Sequence, residues 1–237
     1  MKLQTFKKEL LAEASAKELN AALKKYGDDE REILLLLTGG SSMNMFPFID
    51  VSLLGSHITL GVSDERFGND VASSNFLQLK ETEFYKNAVE RDVNTIDSTS
   101  QGNESKEDVA ARFEGIIRDW REENPKGEVI MTFGVGEDGH TAGVMPYPEN
   151  PELFVGLFEN PKHFVVAYDA GSKSKFPLRI TTTLSFMREH LSFGIAFISG
   201  EGKREALAKI RAEEGTLPVT PARILRKLPV SIFTDIE

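Results

Sequence analysis

The chain has 237 residues, 40% hydrophobic and 27% charged, an ordinary globular composition with apolar mass enough for a sizeable core. Its 28 Lys and Arg against 37 Asp and Glu leave a net charge of −9. That balance argues against nucleic acid or an anionic membrane surface as partner, but not against a small anion held by a few gathered cations. With no cysteine, disulfides, thiolate metal sites and cysteine nucleophiles are excluded. The longest aliphatic run, Ile33 to Leu37, is far too short to cross a bilayer, and the N-terminus lacks the apolar core and cleavage site of a signal peptide. The expectation is a cytoplasmic protein.

Residues 3 to 25 read as an amphipathic helix closed by Gly27. Ile33 to Leu37 is a continuous apolar run of strand length, the mark of a strand buried on both faces. Thr38 to Ser42 is a small-residue loop leading into a short helical stretch, Met43 to Ile49. His57 to Val62 predicts a second strand, Ser74 to Lys86 a helix, Asp92 to Ser105 a surface loop, and Lys106 to Glu122 a clear helix. Val129 to Phe133 and Phe164 to Tyr168 read as the third and fourth strands, and Arg179 to Leu184 as extended through Ile180 and its threonines. Leu191 to Ile198 is a further strand, followed by helix Arg204 to Arg211, a short helix opened by Pro221, and a last strand Val230 to Phe233. Alternating strand and helix, without repeat or long linker, predict one domain over 1–237 built on a mostly parallel, doubly wound sheet.

The chemistry gathers at strand ends. Gly134, Gly136 and Gly139 punctuate the loop after the third strand and place Asp138 and His140 on it. Such a loop approaches a ligand closely, and imidazole changes charge near neutral pH. Gly39, Gly40, Ser41 and Ser42 offer bare amides and hydroxyls after the first strand, a pattern that suits phosphate. Asp64, Glu65 and Arg66 follow the second strand, and Lys203 follows Leu191 to Ile198 beside Gly200 and Gly202. If these strands are neighbours in a parallel sheet, the four groups converge on one cleft. Taken singly, each has a plain reading: a turn, a solvated charge cluster, a surface lysine.

The letters of Gly134 to Gly139 also satisfy a dinucleotide fingerprint. That motif needs a helix at once, whereas Pro146, Pro148 and Pro151 crowd the following segment, so a nicotinamide or flavin site is not expected. His57, His163 and His190 have no ligand-like neighbours, and no histidine spacing supports a metal.

The stretch Phe133 to Pro146 resembles the G-x-G-x-D-G-H-T-A-x-x-F-P signature of the 6-phosphogluconolactonases. Ser63 to Phe67 with Ser74 to Phe76 is similar to their S-D-E-R-x-V and D-S-N-Y segments, and Arg179 to Leu184 to their R-I-T-L-T-L stretch. Ser199 to Lys203 resembles their G-x-x-K turn, and Leu37 to Ser41 their G-G-S-T-P loop. The matches occur in the family's order from about residue 35 onward.

The resemblance implies a Rossmann-like three-layer α/β/α fold shared with glucosamine-6-phosphate deaminases and ribose-5-phosphate isomerases. It also implies hydrolysis of 6-phosphogluconolactone in the oxidative pentose phosphate pathway, without a cofactor. On that reading His140 is the general base for water, Asp138 supports it and Asp64 faces the sugar. Arg66, Arg179 and Lys203, with the Gly39 to Ser42 loop, hold the phosphate of a small sugar phosphate, while Gly136 and its fellow loop glycines supply amides for the developing oxyanion. The protein is expected as monomer or homodimer. Two departures stand out: Ser42 and Met43 replace the family's Thr-Pro, and Phe67 to Asp70 replaces its usual prolines.

Two other readings compete with this one. The deaminases read D-G-H-I-A-F-N-E-P, and here no acid precedes Pro146. A non-catalytic sugar-phosphate sensor would carry an added DNA-binding module, for which this chain has no room.

Overall fold

The computed structural model describes residues 2–237. In chain order its regular elements are β1 (Lys2–Thr5), α1 (Lys8–Asp28), β2 (Ile33–Leu37), β3 (Ile58–Val62), β4 (Asp64–Arg66), α2 (Asn75–Lys80), α3 (Glu83–Glu90) and β5 (Asn94–Thr95). There follow α4 (Lys106–Glu123), β6 (Glu128–Gly134), α5 (Pro151–Phe158), β7 (Val165–Asp169), β8 (Leu178–Thr182), α6 (Leu184–His190), β9 (Leu191–Ile198), α7 (Arg204–Arg211) and β10 (Val230–Thr234). Short 3₁₀ turns, among them Gly40–Phe48 and Pro221–Arg226, fill several connections.

Seven strands pair in the order β1-β10-β9-β6-β2-β3-β5, every pair parallel. The apolar run of β2 divides by alternation between two cores. Leu34 and Leu36 point into one with Val109, Phe113, Ile117 and Trp120 of α4; Ile33, Leu35 and Leu37 point into the other with Leu11, Leu19 and Leu23 of α1. This is the three-layer, Rossmann-like arrangement. Among the described residues no helix is long and apolar enough to cross a membrane.

A second sheet, antiparallel and ordered β4-β8-β7, stands on the α4 side, where Val165, Tyr168 and Ile180 join that core. Here the structure departs from the reading of Phe164 to Tyr168 as part of one parallel sheet. Apolar content and β-branching mark a segment as extended but do not name its partner.

Other differences are local. The chain start is not helical: Lys2–Thr5 pairs with β10, and α1 begins only at Lys8. Four residues are too few for a period to separate helix from strand. The segment Ser74 to Lys86 is two helices, because Ser74 caps α2 through Leu77 N–H (3.1 Å) and Thr82 caps α3 through Tyr85 N–H (3.2 Å). The segment Asp92 to Ser105 is anchored, with Val93, Ile96 and Ser98 buried and Asn94–Thr95 paired to β3. No helix follows Gly139 directly; the next, α5, waits for Pro151 at its first turn and the Asn150 cap. The dinucleotide geometry is therefore absent.

Leu35 sits fully buried in the middle of β2. Leu35→Ala is expected to lower the unfolding free energy by about 2–5 kcal/mol, read from urea titration. An unmoved midpoint would contradict the packing described.

Candidate functional site

In the parallel sheet β9, β6, β2 and β3 are consecutive neighbours, so the loops leaving their carboxyl ends share one edge. The chain runs outward from β2 through β3 to β5 and then returns to the other side of β2 with β6. The crevice at that reversal is where open α/β sheets place ligands. A cavity of about 260 Å³ lies there, lined by Gly39, Gly40, Ser41, Asp64, Arg66, Asn75, Gly136, Glu137, His140, Arg179 and Lys203, among others.

The β2 loop is shaped by its neighbours. A Cβ on Gly39 would collide with the Asn75 side chain, so only glycine lets this strand end approach α2. Ser41 Oγ accepts from Lys203 Nζ at 3.2 Å, joining the loops after β2 and β9. Ser42 does not line the cavity. Its buried hydroxyl donates to the carbonyls of Thr38 (3.0 Å) and Gly39 (2.9 Å), bracing the turn that proline would otherwise stiffen.

Two arginines come from the second sheet. Register places Arg66 of β4 directly opposite Arg179 of β8, a like-charge pair that is unfavourable by itself. Arg179 is 5% exposed and reaches Asp64 Oδ2 at 3.5 Å, while its Nη2 donates to Ser174 Oγ at 2.9 Å. Arg66 Nη1 donates to the Ser73 carbonyl at 2.9 Å. The Nε of each arginine, and Asn75 Oδ1, are buried without a protein partner. Three of the residues that line the cavity thus each carry a buried polar atom with no partner. Burial pushes the Lys203 ammonium below the usual lysine range, with Asp235 and Glu137 pulling the other way.

Asp64 is held by Arg179 and by the hydroxyls of Thr38 and Ser63, both at 3.4 Å. Its neighbour Glu65, 1% exposed, accepts from five donors: the amides of Arg66 (2.7 Å), Asn75 (2.6 Å) and Phe76 (2.9 Å), and the hydroxyls of Ser74 (3.0 Å) and Ser98 (3.1 Å). Burial pushes this carboxyl up and those donors draw it back. The carboxylate thus ties β4 to α2 and fixes the backbone at Arg66 and Asn75 from both sides. In the sequence Glu65 appears only as a member of the Asp64 to Arg66 cluster, with no sign of its bracing role, and Asn75 only within the Ser74 to Phe76 match.

His140 and Asp138 form a pair across the β6 loop. Asp138 Oδ1 lies 2.6 Å from His140 Nδ1 and also accepts the His140 amide at 3.1 Å. Asp138 stands behind the imidazole and does not line the cavity. A Cβ on Gly136 would collide with the ring, so glycine there lets the imidazole lie against its own loop. Burial raises the Asp138 carboxyl, but the hydrogen bond and charge of His140 outweigh it and hold it below the usual range.

The next turn carries backbone strain. Ala142 has φ +44° and Gly143 φ +72°, the left-handed pair of a type I′ turn closed by Val144 N–H to Thr141 O at 2.8 Å. An alanine held there costs about 1–2 kcal/mol.

Fold and cleft together define a Rossmann-like α/β protein with its cavity at the sheet's switch point. Residues 7–230 match the model of the family described as glucosamine-6-phosphate isomerases/6-phosphogluconolactonase, and the chain belongs to that family. Among solved structures, it is similar to a 6-phosphogluconolactonase from Shewanella baltica OS155, with TM-score 0.79 and 20% identity over 99% of this chain and 97% of that one. The Trypanosoma brucei 6-phosphogluconolactonase follows at TM-score 0.76 and 17% identity, covering 98% and 95%. That of Thermotoga maritima gives 0.71 and 18%, covering 98% of each. At these identities the likeness is one of fold. No curated protein matches the chain.

The lowered Asp138 carboxyl is a source of stability present above the ordinary carboxylate pKa of about 4 and lost as pH falls through the folded-state value. The melting temperature of the wild type should therefore exceed that of Asp138→Asn at neutral pH, the gap closing on acidification. A gap that widens in acid would refute the pairing.

Proposed function

We propose that the chain hydrolyses 6-phospho-D-glucono-1,5-lactone to 6-phosphogluconate, the lactone-opening step of the oxidative pentose phosphate pathway, without a cofactor. The observation that carries this reading is the placement of His140. Its Nδ1 is engaged by Asp138 while its ring lines a cavity that also holds Arg66, Arg179 and Lys203. Imidazole tied at one nitrogen keeps the other as proton acceptor.

The reaction follows from that pair. Water gives its proton to His140 Nε2 as its oxygen bonds to the lactone carbonyl carbon, and the carbonyl π pair moves onto oxygen. Collapse of the tetrahedral intermediate breaks the bond to the ring oxygen, which takes the proton back from the imidazolium. Asp138 orients the ring and offsets its transient charge. Gly39, Gly40 and Ser41 with Arg66, Arg179 and Lys203 hold the phosphate, which also relieves the repulsion between the opposed arginines. Asp64 faces the sugar hydroxyls, Gly136 admits the imidazole, and Ser42 braces the phosphate loop.

Family membership and the lactonase neighbours support the reading. The absence of an acid between His140 and Pro146 favours the lactonase over the deaminase, whose ring opening uses one. The expected setting is the cytoplasm, with a small sugar phosphate as the ligand and one domain spanning 1–237.

The test follows freshly generated 6-phosphogluconolactone at neutral pH against its spontaneous hydrolysis. Wild type should accelerate its loss, and His140→Ala should retain product binding while kcat falls by about 10²- to 10⁴-fold. Undiminished turnover in that variant would remove His140 from the mechanism. Ammonia release from glucosamine 6-phosphate, without lactone hydrolysis, would replace the reading with the deaminase.

A further inference from the structure

The strained turn after His140 is held by the second sheet. Thr181 of β8 donates its hydroxyl to the Ala142 carbonyl, and Tyr168 of β7 donates to the Gly143 carbonyl. Both side chains are buried. Burial drives the Tyr168 phenol far above the usual tyrosine range, so it remains a donor at any working pH.

A trans peptide sets its N–H opposite its C=O. Because the Ala142 carbonyl points at Thr181 in the interior, the Gly143 N–H is turned the other way. Ala142 and Gly143 both line the cavity, and neither amide donates to another described residue. The preceding loop is different. There the amides of Gly136, Gly139 and His140 are engaged by His140 O (3.0 Å), Gly136 O (3.0 Å) and Asp138 Oδ1 (3.1 Å). The amides of Gly136, Gly139 and His140 are therefore occupied, whereas those of Ala142 and Gly143 in the next turn are free.

We propose that the Ala142–Gly143 turn is the oxyanion site of this enzyme, with Thr181 and Tyr168 as the positioning residues that aim it. The inference rests on the lactonase reading. The Gly143 N–H, with that of Ala142 beside it, donates to the lactone carbonyl oxygen. As the water oxygen bonds to carbon and its proton passes to His140, the π pair collects on that oxygen and the two hydrogen bonds strengthen. They weaken again when the carbonyl re-forms and the bond to the ring oxygen breaks. Interactions that grow only in the transition state raise kcat and leave substrate affinity alone. Gly143 is required on a second count: a Cβ there would collide with Asp64, whose charge is already met by Arg179 at 3.5 Å.

The test is steady-state kinetics of Thr181→Val, Tyr168→Phe and Thr181→Ser on 6-phosphogluconolactone, with inhibition by the product as the measure of binding. Thr181→Val and Tyr168→Phe should each lose about 10-fold or more in kcat while KM and product inhibition stay within about twofold. Thr181→Ser keeps the hydroxyl and should recover most of the lost rate. Unchanged kcat in both folded variants, a KM that rises as kcat falls, or a serine variant as slow as the valine one would each overturn the assignment. If Thr181→Val does not fold, Tyr168→Phe and Thr181→Ser decide by the same criteria. An inactive wild type removes the lactonase reading and this inference together; an active wild type with unaffected variants removes this inference alone.

Discussion

Parallel pairing of β9, β6, β2 and β3 governs where the loops that carry Gly39, His140 and Lys203 can be. Parallel strands end on the same edge, and here the register runs unbroken from Leu37 beside Val62 to Leu36 beside Met131. Both faces of these strands are buried, so a slip of one residue would turn each apolar side chain toward the wrong core. The apolar register therefore also sets the positions of Thr38, Ser63 and Gly134, the residues from which the three loops depart. Precision at the cleft is inherited from packing some distance below it.

The second sheet completes the site by a different device. It brings Arg66 and Arg179 face to face, and its inner side chains reach the turn beyond His140. Besides its apolar packing against α4, it is tied to the neighbouring segments by the buried carboxylate of Glu65, whose five donors lie on three separate segments. Each of those donors is neutral, so no buried cation has to be desolvated to hold the carboxylate in place.

Much of this was legible in the sequence. The aliphatic run of β2, the three glycines around Asp138 and His140, and the strand-end positions of Asp64 and Lys203 all carry their meaning locally. What escaped is what depends on partners. Nothing in Val165 to Asp169 reveals that it pairs antiparallel with β8, so neither Tyr168 nor Thr181 stood out. Ser42 looked like a phosphate contact because its hydroxyl is visible in the sequence while the carbonyls of Thr38 and Gly39 that engage it are not. Asn75 is a site residue only because Gly39 leaves room for it.

The opposed arginines carry a consequence for the life of the protein as well as its chemistry. Their mutual repulsion opposes closure of β4 on β8, and an anion seated between them turns that opposition into attraction. Folding and ligand supply then become thermodynamically linked, since any species that binds only the folded chain deepens its stability in proportion to its concentration. On the proposed reading, local opening, and with it proteolysis, would become rarer as the sugar phosphate concentration rises.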